Sequence, residues 1–106
     1  MKIKIILILV AFSSHTFSIS KDAMDLCSSF RDMAETIMTN RQNNLSMSGM
    51  MEIAMQQDEA VKDITMTMIV EAFEQPAFST ESNKQNAVAE FSNDVYLECY
   101  KAFKDQ

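Results

Sequence analysis

Glycine and proline are almost absent: Gly49 and Pro76 are the only ones in 106 residues. With so few turn formers, and no alternating runs of β-branched residues, strands have little to turn on, and helices are the expected elements. Histidine is nearly absent too. The one imidazole, His15, lies in a leader-like segment, so the chain that follows has none. Serine–histidine and cysteine–histidine nucleophile pairs are thereby excluded there, as are histidine metal sites.

The leader reads "MKIKIILILVAFSSHTFSIS". Two lysines precede an apolar run from Ile5 to Phe12, and small residues Ser18 and Ser20 stand three and one positions before a cut after Ser20. This is the pattern of a secretory signal. The run is far shorter than the roughly 20 residues a membrane span requires. Residues 1–20 are therefore expected to be a signal peptide and 21–106 a single exported helical domain, free in the periplasm of a Gram-negative host or secreted, with no membrane span after cleavage. Loss of Lys2 and Lys4 leaves seven Lys and Arg against fifteen Asp and Glu, a net charge of −8. That balance argues against nucleic acid and anionic membrane and permits a basic protein partner.

From Asp22 to Arg41 the apolar positions Met24, Cys27, Phe30, Met33, Ala34, Ile37 and Met38 form a stripe at three- and four-residue spacing, which predicts a first helix. It should end at "RQNN", where Asn43 or Asn44 can take a left-handed conformation. A short second helix follows, capped by Ser46 or Ser48 and with Leu45 and Met50 spaced as a hydrophobic staple. A third is expected from Asp58 through Val61, Ile64, Met68, Ile69, Ala72 and Phe73, ending before Pro76, either separate from the second or one bent helix with it. Ser79 or Thr80 caps a long last helix with stripe Val88, Phe91, Val95, Cys99 and Ala102. The fold class is all-α, a bundle of about four helices.

Antiparallel packing of the first and last helices would bring Cys27 and Cys99 together, and in an exported chain the pair reads as a structural disulfide. Closing so long a loop is worth up to about 4.4 kcal/mol in the chain-entropy model, comparable to the whole stability of a small domain. Cysteines 72 positions apart lack the Cys-x-x-Cys spacing of a redox pair. Carboxylate neighbours such as Asp32 with Glu35, or Asp58 with Glu59, read as solvated helix faces rather than an acid/base pair. The expectation is no catalytic residue, no metal and no cofactor.

"TIMTNRQ", "MSGMMEIA", "MIVEAFEQPAFST", Lys84 and "EFSNDVYLECYKA", in this order and spacing, resemble a type of small exported protein encoded in tailed phages and prophages. The resemblance spans nearly all of residues 21–106. Asn43-Asn44 stands where many members have a glycine after "RQ", and Phe73 where tyrosine is common. A host-envelope setting is what the resemblance implies; it carries no mechanism. It points to Arg41, Gln42, Pro76, Phe78, Tyr96 and Tyr100 as candidates for contact with a partner. A turn or helix edge also explains them without a ligand: Arg41 complements the helix dipole, Pro76 and Phe78 make a packed turn, and the tyrosines edge the last helix.

Two functions fit. One is an envelope binding protein of inhibitor, immunity or superinfection-exclusion type; the other is a periplasmic stress chaperone like the small acid-activated helical ones. The chaperone would have only carboxylates as a pH trigger. Between them stands "LSMSGMMEIAM", with Met47, Met50, Met51 and Met55. Thioethers bind Cu(I), but neither histidine nor a free thiol remains to complete such a site. Core packing is the expectation, with Met50 and Met51 inward against the first and last helices, and Met47 and Met55 at the rim as a possible adaptable surface.

Overall fold

The computed structural model describes residues 19–104. They form four helices, α1 (Lys21–Gln42), α2 (Met47–Ala54), α3 (Glu59–Phe73) and α4 (Glu81–Lys104), and among the described residues there is no strand. Residues 1–18, nearly all of the expected signal peptide, lie outside them.

Each helix boundary has a local cause. Ser20 Oγ accepts a hydrogen bond from the Ala23 N–H at 3.1 Å and starts α1. At the other end Asn44 takes the left-handed conformation, with φ of 65°. The N–H groups of Asn44 and Leu45 then reach back to the carbonyls of Arg41 and Asn40, a Schellman arrangement in which Asn stands for the usual Gly. Ser46, not Ser48, caps α2 through a 3.1 Å bond from the Gly49 N–H. A turn over Met55–Asp58 separates α2 from α3, so they are two helices, not one bent one. Asp58 occupies the N-cap of α3 without a side-chain cap bond; its carbonyl takes the N–H groups of Val61 and Lys62. Of the two caps offered for α4, Thr80 is used: its Oγ1 accepts from the Asn83 N–H at 3.1 Å.

α1 and α4 are antiparallel. Near the start of α1 and the end of α4, Cys27 and Cys99 form the disulfide with Cα atoms 5.5 Å apart. At the other end, the Lys84 ammonium donates to the Gln42 carbonyl. α3 lies against α1, and α2 lies against α3. One core joins them: Ala34, Ile37 and Met38 of α1, Met50 and Ala54 of α2, Met68, Ile69 and Ala72 of α3, and Phe91 of α4.

The expected stripes hold in outline and slip at their edges. Ala23 is buried and Met24 exposed; Ser92 is buried and Ala102 exposed. In α3 it is Thr65 that is buried, with Ile64 39% exposed. Thr65 tolerates burial because its hydroxyl donates to the Val61 carbonyl at 3.0 Å and lies 3.1 Å from Met33 Sδ. The methionine assignment needs two corrections. α2 docks on α3 rather than on the first and last helices. Met50 is buried, Met47 and Met51 are alike half-buried, and Met55 stands 57% exposed. Helical periodicity explains the order: residues 47, 50, 51 and 54 share a face, and Met55 falls just past it at the C-cap.

Candidate partner-binding face

The last turn of α1 holds the loop that enters α4. Gln42, only 1% exposed, donates from Nε2 to the Pro76 carbonyl at 2.9 Å and accepts at Oε1 from the Phe78 N–H at 2.8 Å. One amide side chain thus mimics a backbone group and pairs both a donor and an acceptor of a loop that has no ladder of its own. Arg41 adds two bonds from Nε and Nη2 to the Gln75 carbonyl, at 3.2 and 2.9 Å, and its guanidinium lies 4.7 Å from the centre of the Phe73 ring. Arg41, Gln42, Pro76 and Phe78, singled out from the sequence as contact candidates, therefore come together as an internal clamp, with Phe78 half-buried.

Tyr96 and Tyr100 do something different. They share an open depression of about 350 Å³ with Ser28 and Arg31 of α1 and Asn93 and Leu97 of α4, near the disulfide. Leu97 is 47% exposed, both tyrosines are half-buried, and among the described residues neither phenol has a hydrogen-bond partner. Arg31 is ion-paired with Asp32 at 2.8 Å. That hydrogen bond and charge, with a smaller contribution from the charge of Glu35, raise the Arg31 pKa.

Further along the same seam lies a groove of about 500 Å³ with Glu35 and Thr39 on one wall and Glu81, Gln85 and Ala89 on the other. Ser28, Arg31, Glu35 and Thr39 succeed one another at three- and four-residue spacing on α1, as do Glu81, Gln85, Ala89, Asn93, Tyr96 and Tyr100 on α4. The two depressions thus run along one side of the α1–α4 seam. The side facing α3 carries the core residues instead, as the Thr65–Met33 contact marks. Among the described residues Glu35 and Glu81 have no ion-pair partner, since the pairs formed are Lys21–Asp25, Arg31–Asp32 and Lys62–Glu59.

This face combines aromatic bodies with free polar tips, one exposed leucine, a cation, and unpaired carboxylates at the far end. Such a mixture suits recognition of a protein surface more than chemistry. Asp32 and Glu35, nominated as a carboxylate pair, are both exposed, and Asp32 is engaged by Arg31. Among the described residues no three carboxylate, imidazole or thiol groups converge as a metal would require. Arg31, Leu97 and Glu81 were not reached by sequence reasoning, and Glu35 was reached only as a solvated neighbour of Asp32. The signal was present as a small and polar stripe beside the apolar stripe of α4, but such a stripe also marks any solvated face. Met47 lies on α2 and Met55 at its C-cap, apart from this face. No family model, curated protein or solved structure matches the chain.

Proposed function

We propose that this is an exported helical binding protein of phage or prophage type, which acts by occupying an envelope target through the α1–α4 face. The observation that carries the reading is the union of Tyr96, Tyr100, Leu97 and Arg31 in one open depression on a pair of helices pinned at both ends. A scaffold pinned by the disulfide and by the Gln42 clamp loses little further freedom on binding, which favours affinity from a small surface. The resemblance to phage-encoded exported proteins and the leader-like first twenty residues support the envelope setting. Among the described residues no helix is long and apolar enough to cross a membrane. The net charge of −8 and the unpaired Glu35 and Glu81 favour a basic partner. Inhibition, immunity or superinfection exclusion all follow from occupancy without catalysis.

The test is capture of partners from a Gram-negative periplasmic extract by the chain from Lys21 onward, at low and high salt, with Tyr100→Ser and Leu97→Ser as comparisons. Capture of a basic protein that weakens in high salt, where screening shortens the reach of charge below about 8 Å, and that either variant abolishes without changing the melting temperature, is the expected result. Capture unaffected by both variants refutes the assignment to this face. The chaperone reading keeps one specific support: Ile53 and Met55 stand 67% and 57% exposed at the end of α2. Suppression of the aggregation of an acid-unfolded client, with no single captured partner, is the result that would select it.

A further inference from the structure

α2 is the least tethered helix of the bundle. It lies on α3, and among the described residues none of its side chains makes a hydrogen bond to another helix. Its inward face is Met50 and Ala54, both buried, flanked by half-buried Met47 and Met51, in the core to which α3 contributes Met68, Ile69 and Ala72. The turn that follows holds a cost: Gln57 Oε1 is buried and has no hydrogen-bond partner. Three of the four contacting side chains are thus thioethers, and two of them are open enough for a small solute to reach.

We propose that Met47 and Met51 are an oxidation site, and that their conversion to sulfoxide by hydrogen peroxide releases α2 from α3. In the step, one peroxide oxygen is transferred to the sulfur lone pair, the O–O bond breaks, and the other oxygen leaves as water. The sulfur loses two electrons and the peroxide gains them. The product is a strong acceptor in place of an apolar group. The buried neighbours Met50, Ala54, Met68 and Ile69 offer no side-chain donor to it, so the oxidised side chains are driven to water and take α2 with them.

Partial burial on α2 itself is what makes these two sulfurs consequential; Met33 and Met66 are half-buried against the same core but belong to α1 and α3. Met50, at 6% exposure, is shielded, while Met55 and Met24, at 57% and 43%, are accessible but lie outside the core cluster, so their oxidation is silent. The connections Asn43–Ser46 before α2 and Met55–Asp58 after it are short and confine the release to α2, while the disulfide and the Gln42 clamp keep α1 and α4 paired. Release uncovers Met50, Met68 and Ile69 as an apolar surface. The site is separate from the α1–α4 face and does not depend on its role.

Hydrogen exchange on the full domain, before and after graded peroxide, with sulfoxides located by peptide mass spectrometry, tests the proposal. The amides of Met50 to Ala54 should exchange on the order of tenfold faster once Met47 and Met51 are oxidised, those of mid-α1 and mid-α4 staying unchanged. Met47→Leu with Met51→Leu, a volume-conserving replacement that peroxide cannot modify, should abolish the response. Met24→Leu with Met55→Leu should keep it, and this second variant carries the test if the first folds poorly. Unchanged exchange in oxidised wild type, oxidation confined to Met24 and Met55, or loss of the response in the second variant would each overturn it.

Discussion

Replacing Gln42 by alanine puts the clamp to a quantitative test. The substitution leaves the Pro76 carbonyl and the Phe78 N–H without the partners they have at 2.9 and 2.8 Å. A buried polar group deprived of its partner costs about 1–3 kcal/mol. Both loop groups are partly buried, so water can recover a share, and a total of about 2–4 kcal/mol is expected. In a domain of this size each kcal/mol moves the melting temperature by about 4–8 °C, giving a fall of about 8–32 °C. Thermal melts followed by far-ultraviolet circular dichroism, with the disulfide intact, measure it. Gln42→Glu sharpens the test. Its carboxylate still accepts from Phe78 but faces the Pro76 carbonyl, which favours the protonated form and raises the folded-state pKa above the unfolded value of about 4.3. Its stability is therefore fully present below about pH 4 and is lost as pH rises through the folded pKa. A fall of less than about 4 °C for Gln42→Ala, or a Gln42→Glu variant no more stable in acid relative to wild type, would mean that Arg41 and packing alone hold the loop.

The remaining expectations concern the ends of the helices. Cys27→Ala with Cys99→Ala should lower stability by up to about 4.4 kcal/mol in denaturant melts while the far-ultraviolet spectrum stays helical; an unchanged midpoint would mean that the α1–α4 seam holds itself. Gly49→Ala should not bring the usual gain of about 1 kcal/mol, because a Cβ there meets Ser46 Oγ at 3.0 Å; in a Ser46→Ala background, itself about 1 kcal/mol less stable, the gain should reappear. The exported product should begin at Lys21 by intact mass and contain no free thiol. Removal of Ser20 takes away the α1 cap and sets an ammonium group at the positive end of the helix dipole, so the amides of residues 23–26 should exchange faster than in the longer chain.

Much of the fold was written locally. Three-and-four spacing, serine and threonine caps, the Asn43–Asn44 pair and Pro76 are short-range signals, and they placed the first, third and last helices within a residue or two, while the bounds of the second and its separation from the third were left open. Cys27 and Cys99 on the apolar stripes of the first and last helices were enough to pair those helices. Periodicity is less able to set the rotation of a stripe, because neighbouring positions differ by only part of a turn. Which helix lies on a flank then decides whether Thr65 or Ile64 is buried, and it is α3 beneath α2, not α1 or α4, that makes Met51 only as buried as Met47. Gln42 read as a candidate for contact with a partner. Its true partners are a carbonyl and an N–H 34 and 36 residues away, and backbone groups carry no sequence signature. The open side of the seam is a tertiary outcome in the same way: Arg31, Glu35, Glu81, Tyr96 and Tyr100 become one face because α3 covers the opposite side of α1 and leaves this one to solvent.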